Sequence, residues 1–174
     1  MPDVIIPRLI GITSIIALIL AVGFFSSNIT MQMPPTTSIS SLKDVTEKVS
    51  SEIIDLVSLA SLTPDSNSTY KVIEIPDQVN NKGYSVYLQN DSLGWKVVAY
   101  LDEDISIRAE SNLYFKGGVD VENGTGIFHV IYNWQDVELS YSTRLYSGTY
   151  KPVVWCNITQ SNIMVGLGWL GVTG

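Results

Sequence analysis

Seventeen consecutive residues without a charge, LIGITSIIALILAVGFF from Leu9 to Phe25, constrain this chain more than any other feature of its sequence. A helix that crosses a bilayer needs about 20 predominantly apolar residues, and extension back to Val4 supplies them. At about 1.5 Å per residue, a helix from Val4 to Phe25 is about 33 Å long. The run therefore predicts a transmembrane helix, with Arg8 snorkelling from its near end.

The basic residues predict the orientation of this helix. Arg8 precedes the run, and no basic residue follows until Lys43. The positive-inside rule then places the N-terminus in the cytoplasm and everything after Ser26 outside. We therefore expect residues 1–26 to be a single-pass anchor in the cell membrane, with lipid as its partner. The side chains expected to contact lipid are Leu9, Ile10, Ile15, Ile16, Leu18, Ile19, Leu20, Phe24 and Phe25.

Two other interpretations of the run stay open. A secretory signal has an apolar core of about 7–15 residues and a small-x-small cleavage site, for which Ala21 to Gly23 would serve. Against a signal, the segment MPDVIIPR that precedes the run is barely basic and already apolar. The third interpretation is a buried core helix.

Two segments precede the predicted outer domain. Residues 27–40 are rich in Ser and Thr and contain Pro34-Pro35, so we expect an extended spacer. Residues 41–62 carry apolar residues at spacings of three and four, which predicts a short amphipathic helix. Its stripe either packs on its own domain or on a second copy in an assembly. The assembly contacts predicted for the second case are Leu42, Val45, Val49, Ile53, Leu56 and Val57.

Residues 63–174 change to the pattern of β-strands. Short runs rich in Val, Ile, Tyr and Trp are separated by Gly, Asn, Asp or Pro about every ten residues. Asn and Gly in NNKG and ENGTG suit turns that need positive φ. The chain is therefore predicted to be mainly β, with an immunoglobulin-like antiparallel β-sandwich outside the membrane. A small β-barrel is the alternative.

Composition excludes several functions. A net charge of −7 with ten scattered basic residues argues against a nucleic-acid partner. One cysteine, Cys156, cannot form an intrachain disulfide, and His129 is the only histidine. Asp102, Glu103 and Asp104 have no calcium-loop spacing, so we expect a solvated acidic turn. No cofactor, metal site or catalytic residue is predicted, and we expect a protein that is not an enzyme.

Asn-x-Ser/Thr occurs at five of the ten asparagines, more than chance would give. If residues after Ser26 are exported, these positions are N-glycosylation candidates, and N-linked glycans are expected on the outer domain. The five are Asn28, Asn67, Asn90, Asn123 and Asn157.

The apolar N-terminal helix, the amphipathic helix and the segments VIEIPDQVNNKGYSVYL and VVAYLDEDISIRAESNLYF together resemble archaeal type IV pilin-like surface proteins. The resemblance implies an exported, often N-glycosylated β-sandwich head and, in filament-forming members, helices bundled into a filament core. Arg8 and Gly11 do not form the usual peptidase site, and Pro34-Pro35 would interrupt a continuous helix. These departures favour a membrane-anchored minor pilin or an accessory protein of the pilus or archaellum.

The resemblance therefore implies a structural protein that acts through protein–protein contacts. Its partners would be further copies or components of the pilus, archaellum or surface layer, and its location the cell membrane or an extracellular filament. The alternative is a secreted binding module, released near Gly23, that recognises a sugar or a surface protein through Trp and Tyr.

Overall fold

The computed structural model describes residues 14–22, 35–62, 68–115, 119–122, 124–132, 135–158 and 162–171. The chain divides into two units, Met1–Pro34 and Pro35–Gly174, which we call the N-terminal unit and the sheet unit. In the N-terminal unit, residues 14–22 are helical and are called α1. Within the described ranges, no helix has both the length and the hydropathy required of a membrane span.

The second helix, α2, extends from Pro35 to Leu62. The predicted spacer over residues 27–40 is therefore wrong for residues 35–40, which are the first turns of this helix. A proline is accommodated at the start of a helix because the N–H that it lacks would have no intrahelical partner there. The proline pair predicts an extended segment, whereas Pro35 begins the helix.

Ten strands are described in the sheet unit, and they confirm the prediction of a mainly β chain. Eight of them coincide with the apolar runs of the sequence; the two short strands β5 and β8 were not predicted. Their bounds are β1 Ser68–Val72, β2 Tyr84–Asp91, β3 Gly94–Leu101, β4 Asp104–Leu113, β5 Val119–Val121, β6 Gly126–Tyr132, β7 Gln135–Ser142, β8 Arg144–Tyr146, β9 Pro152–Ile158 and β10 Ile163–Leu170.

The strands form two sheets. Sheet A has the order β1-β9-β10-β7-β6, and β5 pairs with β10 in parallel. Sheet B has the order β4-β3-β2-β8 and is antiparallel throughout. Between β1 and β2, Asn80 and Asn81 have φ of 51° and 60° in a tight turn closed by Val79 and Lys82. This turn confirms the positive φ expected in NNKG, and the residues that adopt it are the two asparagines.

Helix α2 packs against both sheets, mainly β3 and β4 of sheet B and β9 of sheet A. Its apolar stripe joins the core formed by inward-facing strand residues such as Val97 and Val154. The buried Ser50 hydroxyl donates a hydrogen bond of 3.1 Å to the Asn112 carbonyl on β4. The helix is thus part of the core between the sheets.

This packing decides between the two interpretations of the α2 stripe. All six residues proposed as assembly contacts are buried in the chain's own core, with at most 8% of each exposed: Leu42, Val45, Val49, Ile53, Leu56 and Val57. A second copy could not reach them without opening the core. The assembly prediction is therefore wrong for these residues, and the stripe serves the local core.

Candidate functional site

The first functional feature is the surface of α1. All nine residues of this stretch, SIIALILAV, are exposed, and none is charged. The large side chains Ile15, Ile16, Leu18, Ile19, Leu20 and Val22 are 52–67% exposed. At 3.6 residues per turn they cover more than half of the circumference, and Ser14, Ala17 and Ala21 occupy the rest.

Of the predicted lipid contacts, Ile15, Ile16, Leu18, Ile19 and Leu20 lie in α1 and are exposed. Leu9, Ile10, Phe24 and Phe25 lie outside the described residues. An exposed helix without a polar face differs from the helices of a water-soluble surface, which carry charged residues on their outer side. The α1 surface is thus suited to an apolar surrounding.

The second feature is the curvature of sheet A. β1 and β6 are the two edge strands of its five-strand path, yet the Tyr70 hydroxyl on β1 donates a hydrogen bond of 2.7 Å to the Ile131 carbonyl on β6. The sheet therefore curls until its edges meet through this side chain. A second, smaller apolar core lies on the face of sheet A opposite α2, built around Leu139, Val153 and Trp155.

Three aromatic rings pack together on this concave face. The Trp155 ring centroid lies 5.2 Å from those of Phe128 and Tyr141, and the latter two are 5.8 Å apart. Trp155 Nε1 donates to the Leu167 carbonyl at 3.3 Å. A Cβ at Gly166 would lie 2.6 Å from the Trp155 ring, so only glycine at this position of β10 leaves room for the indole.

A cavity of about 380 Å³ opens beside these rings; we call it the aromatic cleft. Besides the rings, it is lined by Ile127 and Met164 and by the polar residues Ser68, Glu122, His129 and Asn157. The lining combines aromatic and aliphatic side chains with a comparable share of polar surface, and the volume lies at the small end of the range of small-molecule sites.

The predicted glycosylation sites fall into two kinds. Asn90 is exposed near the end of β2, next to the turn that leads into β3. Asn157 is half-buried on β9 and lines the aromatic cleft. Asn28, Asn67 and Asn123 lie outside the described residues.

The titratable groups singled out in the sequence are not brought together. His129 is exposed on β6, with Nδ1 3.2 Å from the Asp136 carboxylate. Cys156 is buried, and burial raises the pKa of its thiol to about 11, so it serves as a small apolar core residue. Across the described ranges, no three His, Cys, Asp or Glu side chains are grouped as metal ligands.

The three acidic residues of the β3–β4 turn have separate partners. Asp102 accepts a hydrogen bond from Ser85 at 2.5 Å, and Glu103 lies 3.0 Å from the Lys82 ammonium. Asp104 accepts hydrogen bonds from Ser106, whose hydroxyl and, to a smaller extent, backbone N–H hold the pKa of that carboxyl below its usual range. These carboxylates stabilise the local turn.

Comparisons with protein-family models, with curated proteins and with solved structures found no match for this chain. The features of the chain that bear on function are α1, the aromatic cleft and the sequons. Of these, the cleft was missed in the sequence. Alternation in VVWCNIT does place Trp155 and Asn157 on one face of a strand, but the partners of that face come from β6, β7 and β10.

Proposed function

We propose that this chain is a surface protein of the archaeal type IV pilin kind, held by the apolar helix that contains α1 and presenting the sheet unit outside the cell. It acts through structural contacts rather than catalysis. The observation that carries the proposal is the uncharged and exposed surface of α1. Lipid or neighbouring helices would remove that surface from water at a gain of roughly 25 cal/mol per Å².

The sheet unit supports the proposal because it can serve as an independent head. It has its own core, and α2 closes that core between two sheets instead of presenting its stripe to another subunit. We propose an immunoglobulin-like sandwich as its general plan, modified by α2 and by the strong curl of sheet A. Other copies and components of the pilus, archaellum or surface layer are the proposed partners.

Two environments for α1 fit this proposal. In a membrane anchor, the large apolar residues face lipid. In a filament core, they face neighbouring helices, and the small face of Ser14, Ala17 and Ala21 allows close approach of another helix. The departures of Arg8, Gly11 and Pro34-Pro35 from the pilin pattern favour the anchor.

The mass of the mature protein isolated from its cells, combined with alkaline carbonate extraction of the membranes, tests the proposal. An intact N-terminus in the carbonate-resistant pellet supports the anchor. Cleavage between Arg8 and Gly11, with regular fibres in negative-stain micrographs, supports the filament. The intact chain in the cytosolic fraction would contradict both.

The aromatic cleft favours a second candidate, the secreted binding module that recognises sugars through Trp and Tyr. This candidate requires cleavage near Gly23 and protein in the medium. Glycan-array binding that is lost in Tyr141→Ala would support it. Hydrolysis of a glycan by the same preparation would contradict the proposal that the protein is not an enzyme.

A further inference from the structure

We propose that Asn157 carries an N-linked glycan whose first sugar packs into the aromatic cleft, so that the glycan becomes a part of the sheet unit. This inference rests on the proposed export of the unit. Asn157 differs from the other sequons in the residues that its side chain contacts.

Strand geometry places Asn157 at the cleft. Side chains two residues apart on a strand share a face, so Asn157 lies on the same side of β9 as Trp155. In the ladders, Asn157 is opposite Met164 of β10 and Ser68 of β1. All of these side chains line the cleft. The first sugar on Asn157 Nδ2 would therefore lie between the apolar Met164 on β10 and the polar Ser68 on β1.

The Asn157 amide is available in this arrangement. Within the described part of the chain, its side chain forms no hydrogen bond. Asn90 offers a contrast, because it is exposed at the end of β2, where Asp91 and Ser92 beside it are also exposed. A glycan on Asn90 extends into solvent, whereas one on Asn157 begins beside Phe128 and Met164.

The chemistry of the cleft suits a sugar ring. The C–H groups on one face of a pyranose carry partial positive charge and pack against the negative face of an aromatic ring. Phe128 is half-buried and offers such a contact, with the almost fully buried Trp155 beneath it. Glu122 and Ser68 supply hydrogen-bonding groups for hydroxyls. The volume of about 380 Å³ is at the small end of ligand sites.

The modification is an ordinary glycosyl transfer. A lipid-phosphate-linked oligosaccharide is the donor, and a membrane oligosaccharyltransferase supplies the base. The bond from Asn157 Nδ2 to C1 of the first sugar forms, and the bond from C1 to the phosphate oxygen breaks. The amide loses one proton to the base, and the lipid phosphate leaves with the bonding electron pair.

Glycopeptide mass spectrometry on the full chain from its native cells tests occupancy. The expected result is a glycan on both Asn157 and Asn90. If Asn90 is glycosylated but Asn157 is not, this inference is overturned, while the proposed export still stands. If every sequon is unmodified, the inference falls, and carbonate extraction then decides whether export has fallen with it.

Thermal unfolding tests whether the glycan packs in the cleft. In detergent, Asn157→Gln is expected to lower the Tm of the glycosylated protein by about 3 °C, and Asn90→Gln by less than about 1 °C. Thr159→Ala removes the same sequon while keeping Asn157, and it should match Asn157→Gln. In protein from a bacterium without the transferase, Thr159→Ala should leave the Tm unchanged.

Proton NMR of the glycosylated protein gives a readout that does not depend on stability. Aromatic rings shift the protons packed on their faces upfield, so the first sugar on Asn157 should show shifts that the sugar on Asn90 lacks. An occupied Asn157 with unshifted sugar protons and no glycan-dependent Tm change would place the glycan in solvent and overturn the inference.

Discussion

The two helical regions of this chain are both rich in apolar residues, but they use them in opposite ways. In α2 the apolar residues recur every three or four positions, and the sheets of the same unit bury them. In α1 they occupy nearly every position and are exposed. Ile53 of α2 is fully buried, whereas Leu18 of α1 is 66% exposed.

This difference shows that the pattern of apolar residues, rather than their number, indicates where a helix is solvated. A stripe with charged residues on the other side, such as Lys43 and Glu47, fits a helix between a core and water. A surface without any charge fits neither a soluble surface nor a one-sided core. Its free energy is lowest where lipid or other apolar helices surround it.

The largest contrast is expected from truncating one isoleucine in each helix. Ile53→Ala leaves a cavity between α2 and the sheets and should reduce the free energy of unfolding by about 2–5 kcal/mol. Ile16→Ala, at a position that is 52% exposed, should change it by less than about 0.5 kcal/mol. Urea unfolding of the full chain in detergent, followed by tryptophan fluorescence, measures both, since all four tryptophans lie in the sheet unit.

Equal effects of the two alanine variants on the free energy of unfolding would contradict the proposed difference between α1 and α2. They would mean that α1 belongs to the same cooperative core as α2. A change in the slope of unfolding against urea, rather than in its midpoint, would instead indicate a change in the surface exposed on unfolding.

A charge in α1 should act on membrane retention. Leu18→Lys places an ammonium in the predicted span at a cost of about 2.5–3.5 kcal/mol, which corresponds to a decrease in membrane partitioning of about 100-fold. Leu59→Lys is the matched control, because Leu59 is similarly exposed, at 54%, on α2. Carbonate extraction should move only Leu18→Lys toward the supernatant. Release of both variants, or of neither, would remove the distinction between the helices.

Sequence patterns predicted most of the local elements of this fold. The apolar residues between Leu42 and Ala60 predicted α2, because they recur at intervals of three and four positions. The start of α2 was not predicted because proline disrupts the interior of a helix but is compatible with its first turn, where Pro35 lies. β5 and β8 were missed because three residues are too few to show a strand period.

The aromatic cleft could not be predicted to the same extent. Its residues come from β1, β6, β7, β9, β10 and the segment after β5, and the register between distant strands such as β1 and β9 is set by tertiary packing. Only the Trp155–Asn157 spacing was visible in the sequence. The closure by Tyr70 depends on the curl of sheet A, which no local pattern encodes.

The smallest effect is expected from the ion pair that links α2 to sheet A. Glu52 on α2 and Lys71 on β1 are in direct contact. The hydrogen bond to Glu52 raises the pKa of Lys71 above its ordinary value of 10.5, and the charges of Glu52 and Asp55 add to the shift. A raised pKa means that the folded state binds this proton more tightly than the unfolded state. The resulting stability is complete below pH 10.5 and is lost as the pH rises through the folded-state pKa.

Lys71→Met should therefore lower the Tm slightly, by about 1 °C, because the Lys71 side chain is half exposed and water screens its charge. The difference from the wild type should be present at neutral pH and shrink in alkaline buffer. Lys43→Met, which removes one charge from the exposed side of α2, controls for the change in net charge. A difference that grows with pH would show that Lys71 destabilises the contact, and α2 would then be held to sheet A by its apolar stripe alone.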